Sequence, residues 1–165
     1  MIFVALGSNL PGPYSSPEQL LKASLFALGQ AGIVPHRVSP FYKTAPIGPG
    51  GQPDYVNAVA AVRCCLAPRA LLQRLHELER GFGRQRDIVW GARTLDLDLL
   101  DYRGQIMAPA PILPHPRLAA RGFVLRPLAD IAPGWRHPQS GRGIANLLAA
   151  LPKAERDGVR RLKIA

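Results

Sequence analysis

The sequence has only two cysteines, and Cys64 and Cys65 are neighbours, which suits neither an ordinary disulfide framework nor a cysteine-rich zinc site. No apolar run approaches the roughly 18 residues that suggest a membrane span. The opening stretch Met1-Ile2-Phe3-Val4-Ala5-Leu6 has no basic head and no small-residue cleavage site. A cytoplasmic, reduced chain is therefore expected. The phosphate loop Gly-x-x-x-x-Gly-Lys-Ser/Thr is missing, and so is a Gly-x-Gly-x-x-Gly turn. No Ser, Cys or Lys stands with a base and an orienting group at a readable spacing, which argues against covalent catalysis. Acidic residues are few: 11, against 21 Lys and Arg, leave a net charge of +10. Such a balance points to anionic partners, whether nucleotides, phosphates or nucleic acid.

What is present fits one domain over residues 1–165, long enough to build a core. Residues 2–6 read as a buried strand ended by Gly7-Ser8-Asn9. Ser16-Pro17-Glu18-Gln19 is a helix start with Ser16 as N-cap, and Leu20, Leu21, Leu25 and Leu28 supply its apolar face. A strand over 36–43 leads into the loop Thr44 to Gly51. Tyr55 to Cys64 is β-like, with Tyr55, Asn57, Val59 and Ala61 on one face. Pro68 opens a second helix whose Leu71, Leu72, Leu75 and Leu78 recur at helical spacing, and Gly81 closes it. His76 and Glu79 lie one turn apart on its polar side. A strand over about 94–102 follows, then helices over 123–131 and 144–151 and a basic tail. Helices interleaved with antiparallel-capable strands predict an α+β sandwich, a small sheet covered by helices.

The most informative stretch is Arg93-Thr94-Leu95-Asp96-Leu97-Asp98-Leu99-Leu100. Strand side chains alternate, so Thr94, Asp96 and Asp98 share one face while Leu95, Leu97 and Leu99 turn into a core. Two carboxylates about 7 Å apart on a rigid strand repel unless a cation sits between them. Magnesium held by carboxylates and substrate phosphates is the usual solution. A half-buried edge strand whose aspartates face water is the competing reading.

The surroundings favour the metal. Arg84 and Arg86 in a Gly-flanked loop can clamp phosphate oxygens, although exposed arginines also serve solubility. Trp90 can stack on a flat ring or simply fill a core. His115 is fixed between Pro114 and Pro116, and Arg121-Gly122-Phe123 sets a cation beside an aromatic ring. Paired aspartates with many arginines and no covalent nucleophile suit direct phosphoryl-type transfer. An RNA-binding module and a magnesium-dependent phosphohydrolase remain alternatives, the first opposed by the charge of Asp96 and Asp98.

With these residues in view, the chain resembles the 6-hydroxymethyl-7,8-dihydropterin pyrophosphokinases of folate biosynthesis. The resemblance runs through Ala5-Leu6-Gly7-Ser8-Asn9-Leu10, Phe41-Tyr42-Lys43-Thr44, Gln52-Pro53-Asp54-Tyr55-Val56-Asn57-Ala58 and Gly83-Arg84-Gln85-Arg86. Its most specific block is Trp90-Gly91-Ala92-Arg93-Thr94-Leu95-Asp96-Leu97-Asp98, followed by Leu113-Pro114-His115-Pro116-Arg117 and Arg121-Gly122-Phe123. It implies a ferredoxin-like α/β sandwich in which ATP donates its β,γ-pyrophosphoryl group to the hydroxymethyl oxygen and AMP is released. Asp96 and Asp98 would bind two magnesium ions, and Arg84 and Arg93 would offset charge on the transferring group. Arg93 opens the strand off the aspartate face, so a local bend is required. Glu79, Arg86, His115 and Arg121 fall on the nucleotide side, with His76 and Pro116. The pterin would lie between Phe123 and Tyr55, its edge read by Asn57 and by the backbone of Thr44, Ala45, Pro46 and Ile47, with Trp90 closing the loop. The expected partners are ATP and the pterin, acting on a monomer without nucleic acid or membrane.

Overall fold

Strand β1 (Ile2–Ser8) is buried along almost its whole length, because strands flank it on both sides and helices cover both of its faces. The computed structural model describes residues 1–46, 50–83 and 94–163. Helix α1 (Pro17–Gln30) follows, and Ser16 Oγ accepts a bond from Gln19 N at 3.2 Å as the N-cap. It ends where Gly32 takes a φ of +79° and Ile33 N reaches back to Leu28 O at 3.0 Å. Next come β2 (Val34–Val38), β3 (Tyr42–Thr44), β4 (Tyr55–Arg63), α2 (Pro68–Gly81) and β5 (Asp96–Tyr102). Helices α3 (Gly122–Ile131), α4 (Ile144–Ala150) and α5 (Lys153–Asp157) precede the short strand β6 (Arg160–Arg161).

The sheet runs β5-β1-β4-β3-β6, with β2 also on β4, and each strand pairing is antiparallel. The expected α+β architecture is present, with helices on both faces. On one face Ile2, Val4, Leu6, Leu97 and Leu99 pack against Leu20, Leu21 and Leu28 of α1 and Leu71 and Leu75 of α2. On the other, Phe3, Val59, Ala61 and Leu100 meet Val124, Leu125 and Leu128 of α3 and Ile144 and Leu147 of α4. Burying each such side chain stabilises the fold by roughly 1.5–3 kcal/mol. Among the described residues no helix is long and apolar enough to cross a membrane.

Several boundaries differ from the sequence reading. The strand expected over 36–43 is two strands, β2 and β3, both on β4. The break falls at Ser39-Pro40: Ser39 N donates to Val59 O at 2.9 Å and Ser39 Oγ accepts from Val59 N at 3.0 Å. Pro40 then has no N–H to continue the ladder. Gly7 and Ser8 do not end β1 but extend it. Gly81 is the last residue of α2, and Gly83, at φ +84°, supplies the left-handed turn. The tail is structured too, β6 pairing Arg161 with Tyr42.

Candidate active site

Gly7 stands at the centre of the site because the register sets it opposite two functional side chains. It faces Asn57 on β4 and Asp96 on β5. A Cβ built on Gly7 would lie 3.1 Å from Asn57 Oδ1 and 3.9 Å from Asp96 Cβ. A glycine inside a strand thus leaves a strip of bare backbone between an amide and a carboxylate. The alternation expected for β5 holds: Leu95, Leu97 and Leu99 are buried while Thr94, Asp96 and Asp98 are half-buried. Thr94 Oγ1 is buried with no hydrogen-bond partner.

Helix α3 brings a cation to the same place. Arg121 Nη1 lies 3.8 Å from Asp98 Oδ2, and its guanidinium carbon sits 5.4 Å from the centre of the Phe123 ring. His115 joins through its backbone N, which donates to Leu100 O at 2.8 Å. Its Nδ1 accepts from Arg117 N at 3.2 Å, so the neutral ring carries its proton on Nε2. Burial holds His115 below the usual histidine range, helped by Arg121 and Arg117 and opposed by Asp96. Pro116 is exposed beside it.

On the β4 side, Asn57 Nδ2 donates to Thr44 Oγ1 at 2.9 Å, and Thr44 pairs with Tyr55 in the register. That bond fixes the amide so that Oδ1 faces the Gly7 strip. Ala45 and Pro46 continue from Thr44 into the β3–β4 loop. Buried Asn9 holds the far part of that loop, its Nδ2 lying 3.2 Å from both Gln52 Oε1 and Pro53 O.

Glu79 corrects one expectation. It does not lie on an exposed polar side of α2 but is 1% exposed, its Oε1 accepting from Leu97 N at 2.7 Å. The carboxylate therefore fixes the backbone between the two aspartates from the opposite side of β5. His76, one turn earlier, is half-buried. Thus Thr44, Tyr55 and Asn57 stand on one side of Gly7, with Asp96, Asp98, His115, Arg121 and Phe123 on the other. Ile47, Arg84, Arg86, Trp90 and Arg93 lie outside the described residues. Sequence reasoning missed the roles of Gly7 and Asn9; a glycine within a strand pattern and an asparagine at its end were the available signals.

A family model described as 7,8-dihydro-6-hydroxymethylpterin-pyrophosphokinase (HPPK) matches residues 3–133, most of the chain and all of this geometry. The chain belongs to the HPPK family. A 2-amino-4-hydroxy-6-hydroxymethyldihydropteridine pyrophosphokinase of Pseudomonas aeruginosa is 45% identical over 98% of this chain and 96% of its own length. The enzyme of the same name from Synechocystis sp. is 44% identical over 88% of this chain and 73% of its own. That of Haemophilus influenzae is 43% identical over 84% and 85%.

HPPK chemistry uses ATP, and the donor set fits a hard divalent cation. Asp96 and Asp98 offer carboxylate oxygens on one face of β5, with the unpartnered Thr94 hydroxyl two residues before the strand begins. Two carboxylates supply only part of a coordination shell, and magnesium takes the rest of its ligands from phosphate oxygens and water.

Proposed function

We infer that this chain transfers the β,γ-pyrophosphoryl group of ATP to the hydroxymethyl group of 6-hydroxymethyl-7,8-dihydropterin, releasing AMP, in folate biosynthesis. The observation that carries this reading is the Asp96/Asp98 face beside Gly7 and Asn57, within the span that matches the family. Asp96 and Asp98 would hold two magnesium ions, which when bound neutralise the phosphates on both sides of an in-line displacement.

The chain's own residues do the positioning. Asn57, held by Thr44, presents Oδ1 as a fixed acceptor for a ring N–H of the pterin. Phe123 and Tyr55 supply the planes between which a flat ring lies. Arg121 and the Nε2–H of His115 face the nucleotide with Pro116 and His76, and family resemblance assigns Arg86 to the same ligand. Arg84 and Arg93 offset the charge that develops on the transferring group. The role carried over for Trp90 by family resemblance is to help exclude water, which would otherwise hydrolyse ATP. In the transfer, the hydroxymethyl oxygen forms a bond to the β-phosphorus. The bond from that phosphorus to the α–β bridging oxygen breaks, and the oxygen leaves with AMP. The working unit is a monomer with residues 1–165 as one domain, acting in the cytoplasm without nucleic acid or membrane.

Incubation with ATP, magnesium and the hydroxymethyl dihydropterin tests the assignment. AMP and the pterin diphosphate should form together in equal amounts. ADP as product, or phosphate release that needs no alcohol acceptor, would overturn it.

A further inference from the structure

A second cavity lies at the opposite end of the sheet, where β1 and β2 begin and β4 and β5 end. It encloses about 620 Å³, is lined by Ile2, His36, Arg37, Arg63, Cys64 and Arg103 among others, and shares none of its lining with the site around Gly7. Ile2 and Gly7 are five residue steps apart along β1, which at the strand rise amounts to about 17 Å.

Two backbone irregularities aim basic side chains at this groove. The β2–β4 register shifts between Pro35 and Arg37, so His36 is the extra residue of a bulge. Arg103 adopts φ +54°, a left-handed value shared by no other non-glycine among the described residues. It sits in the tight turn closed by Gln105 N on Tyr102 O at 3.0 Å, beside Gly104 at φ +71°. Such a turn favours Asn, Asp or Gly, so an arginine there is held at a cost in backbone strain.

The charges are anchored rather than neutralised. Arg103 Nη2 donates to Cys64 O at 3.4 Å and its guanidinium lies 5.3 Å from the Tyr102 ring centre. Arg37 Nη1 donates to Ile131 O at 3.1 Å, one of the five N–H groups a guanidinium offers. Among the described residues, no carboxylate forms an ion pair with Arg37, Arg63 or Arg103. Burial, together with Arg63 and Arg37, holds His36 below the usual histidine range, as crowding by like charge requires.

We propose that this groove is a second anion site that takes a small oligophosphate, the phosphate chain bridging Arg37, Arg63 and Arg103. Guanidinium forks bind phosphate oxygens in pairs, and three of them around one cavity suit a chain of two or three phosphoryl groups. The cavity lies within the usual size range for small-molecule sites.

Titration of the full chain with sodium tripolyphosphate, without magnesium and followed by backbone amide NMR, tests this. Saturable shifts are expected at residues 36–37, 63–64 and 103–104. Affinity at those residues should fall about tenfold in Arg63→Ala and in Arg103→Asn, the asparagine tolerating the left-handed turn. AMP formation by both variants should be unchanged. The same spectra report whether each variant is folded. In a second arm ADP replaces tripolyphosphate: tighter binding assigns a nucleotide, equal binding the bare phosphate chain. Shifts confined to residues 94–98 and 115–123, shifts that never saturate, or affinity at the groove untouched by both substitutions would overturn the proposal. None of these outcomes depends on which reaction the Asp96 site performs.

Discussion

At the Gly7 end of the sheet, polar side chains face one another across bare backbone and are fixed by buried hydrogen bonds. At the Ile2 end, arginines line a groove, and among the described residues no carboxylate is paired to them. Asn57 is held by Thr44, Leu97 N by Glu79, and the β3–β4 loop by Asn9. The same three strands, β1, β4 and β5, build both ends, so the contrast comes from side chains and local backbone rather than from topology. The proposed function would use the first end to hold reactants in register, and the proposed anion site would use the second to hold one kind of charge.

Removing a carboxylate should break this comparison most completely. If Asp96 holds magnesium as proposed, Asp96→Ala lowers AMP formation on the order of a thousandfold. The thermal unfolding midpoint should barely move, since Asp96 is half-buried and faces the site. A variant retaining most of its rate would show that the Gly7 end does not depend on this carboxylate.

Glu79 gives the next largest effect, and on stability. Glu79→Ala strips the acceptor from Leu97 N in a setting that is 1% exposed, and should cost about 2–3 kcal/mol in denaturant unfolding. Glu79→Gln keeps an amide oxygen there and should recover much of that loss.

How much of this was legible in the sequence follows from how local each feature is. The aspartate face of β5 was readable because period-two alternation needs only the residues themselves, and the Ser16 cap because it spans four residues. Glu79 was misread because a helical wheel registers spacing on α2 but cannot show that the β5 backbone needs an acceptor there. The split of 36–43 into β2 and β3 depended on Ser39 exchanging bonds with Val59, a partner 20 residues away. The His36 bulge was invisible for the same reason, since it exists only relative to β4, whereas the Arg103 turn is local but places an arginine where turn chemistry signals Asn, Asp or Gly. Arg84, Arg86 and Trp90 stand out as cations and an aromatic near the aspartates, and Arg93 through resemblance; all four lie outside the described residues.

The smallest expected effect comes from Tyr42, which ties β3 to α3 through a 2.5 Å hydrogen bond to Asp130 Oδ2. Burial, with the Asp130 bond and charge, pushes the Tyr42 hydroxyl up from 10.0 to about 12. A folded-state value above the unfolded one contributes stability that is complete below pH 10.0 and lost as pH rises towards about 12. Tyr42→Phe should therefore cost about 1 kcal/mol near neutral pH and flatten the alkaline limb of the stability curve. Neither AMP formation nor anion binding should respond, so an effect on either would mean the two ends communicate through α3.

Strand β6 carries a consequence for the protein in a crowded solution. Strand β3 has three residues, and without a neighbour its outer N–H and C=O groups would form a template for a strand of another molecule. Arg160 and Arg161 occupy that edge, pairing with Lys43 and Tyr42. Both are exposed, so a strand approaching this end of the sheet meets only a two-residue edge carrying two positive charges. The segment thus acts as a gatekeeper at this edge, so that two arginines outside the Gly7 site work against sheet-to-sheet growth.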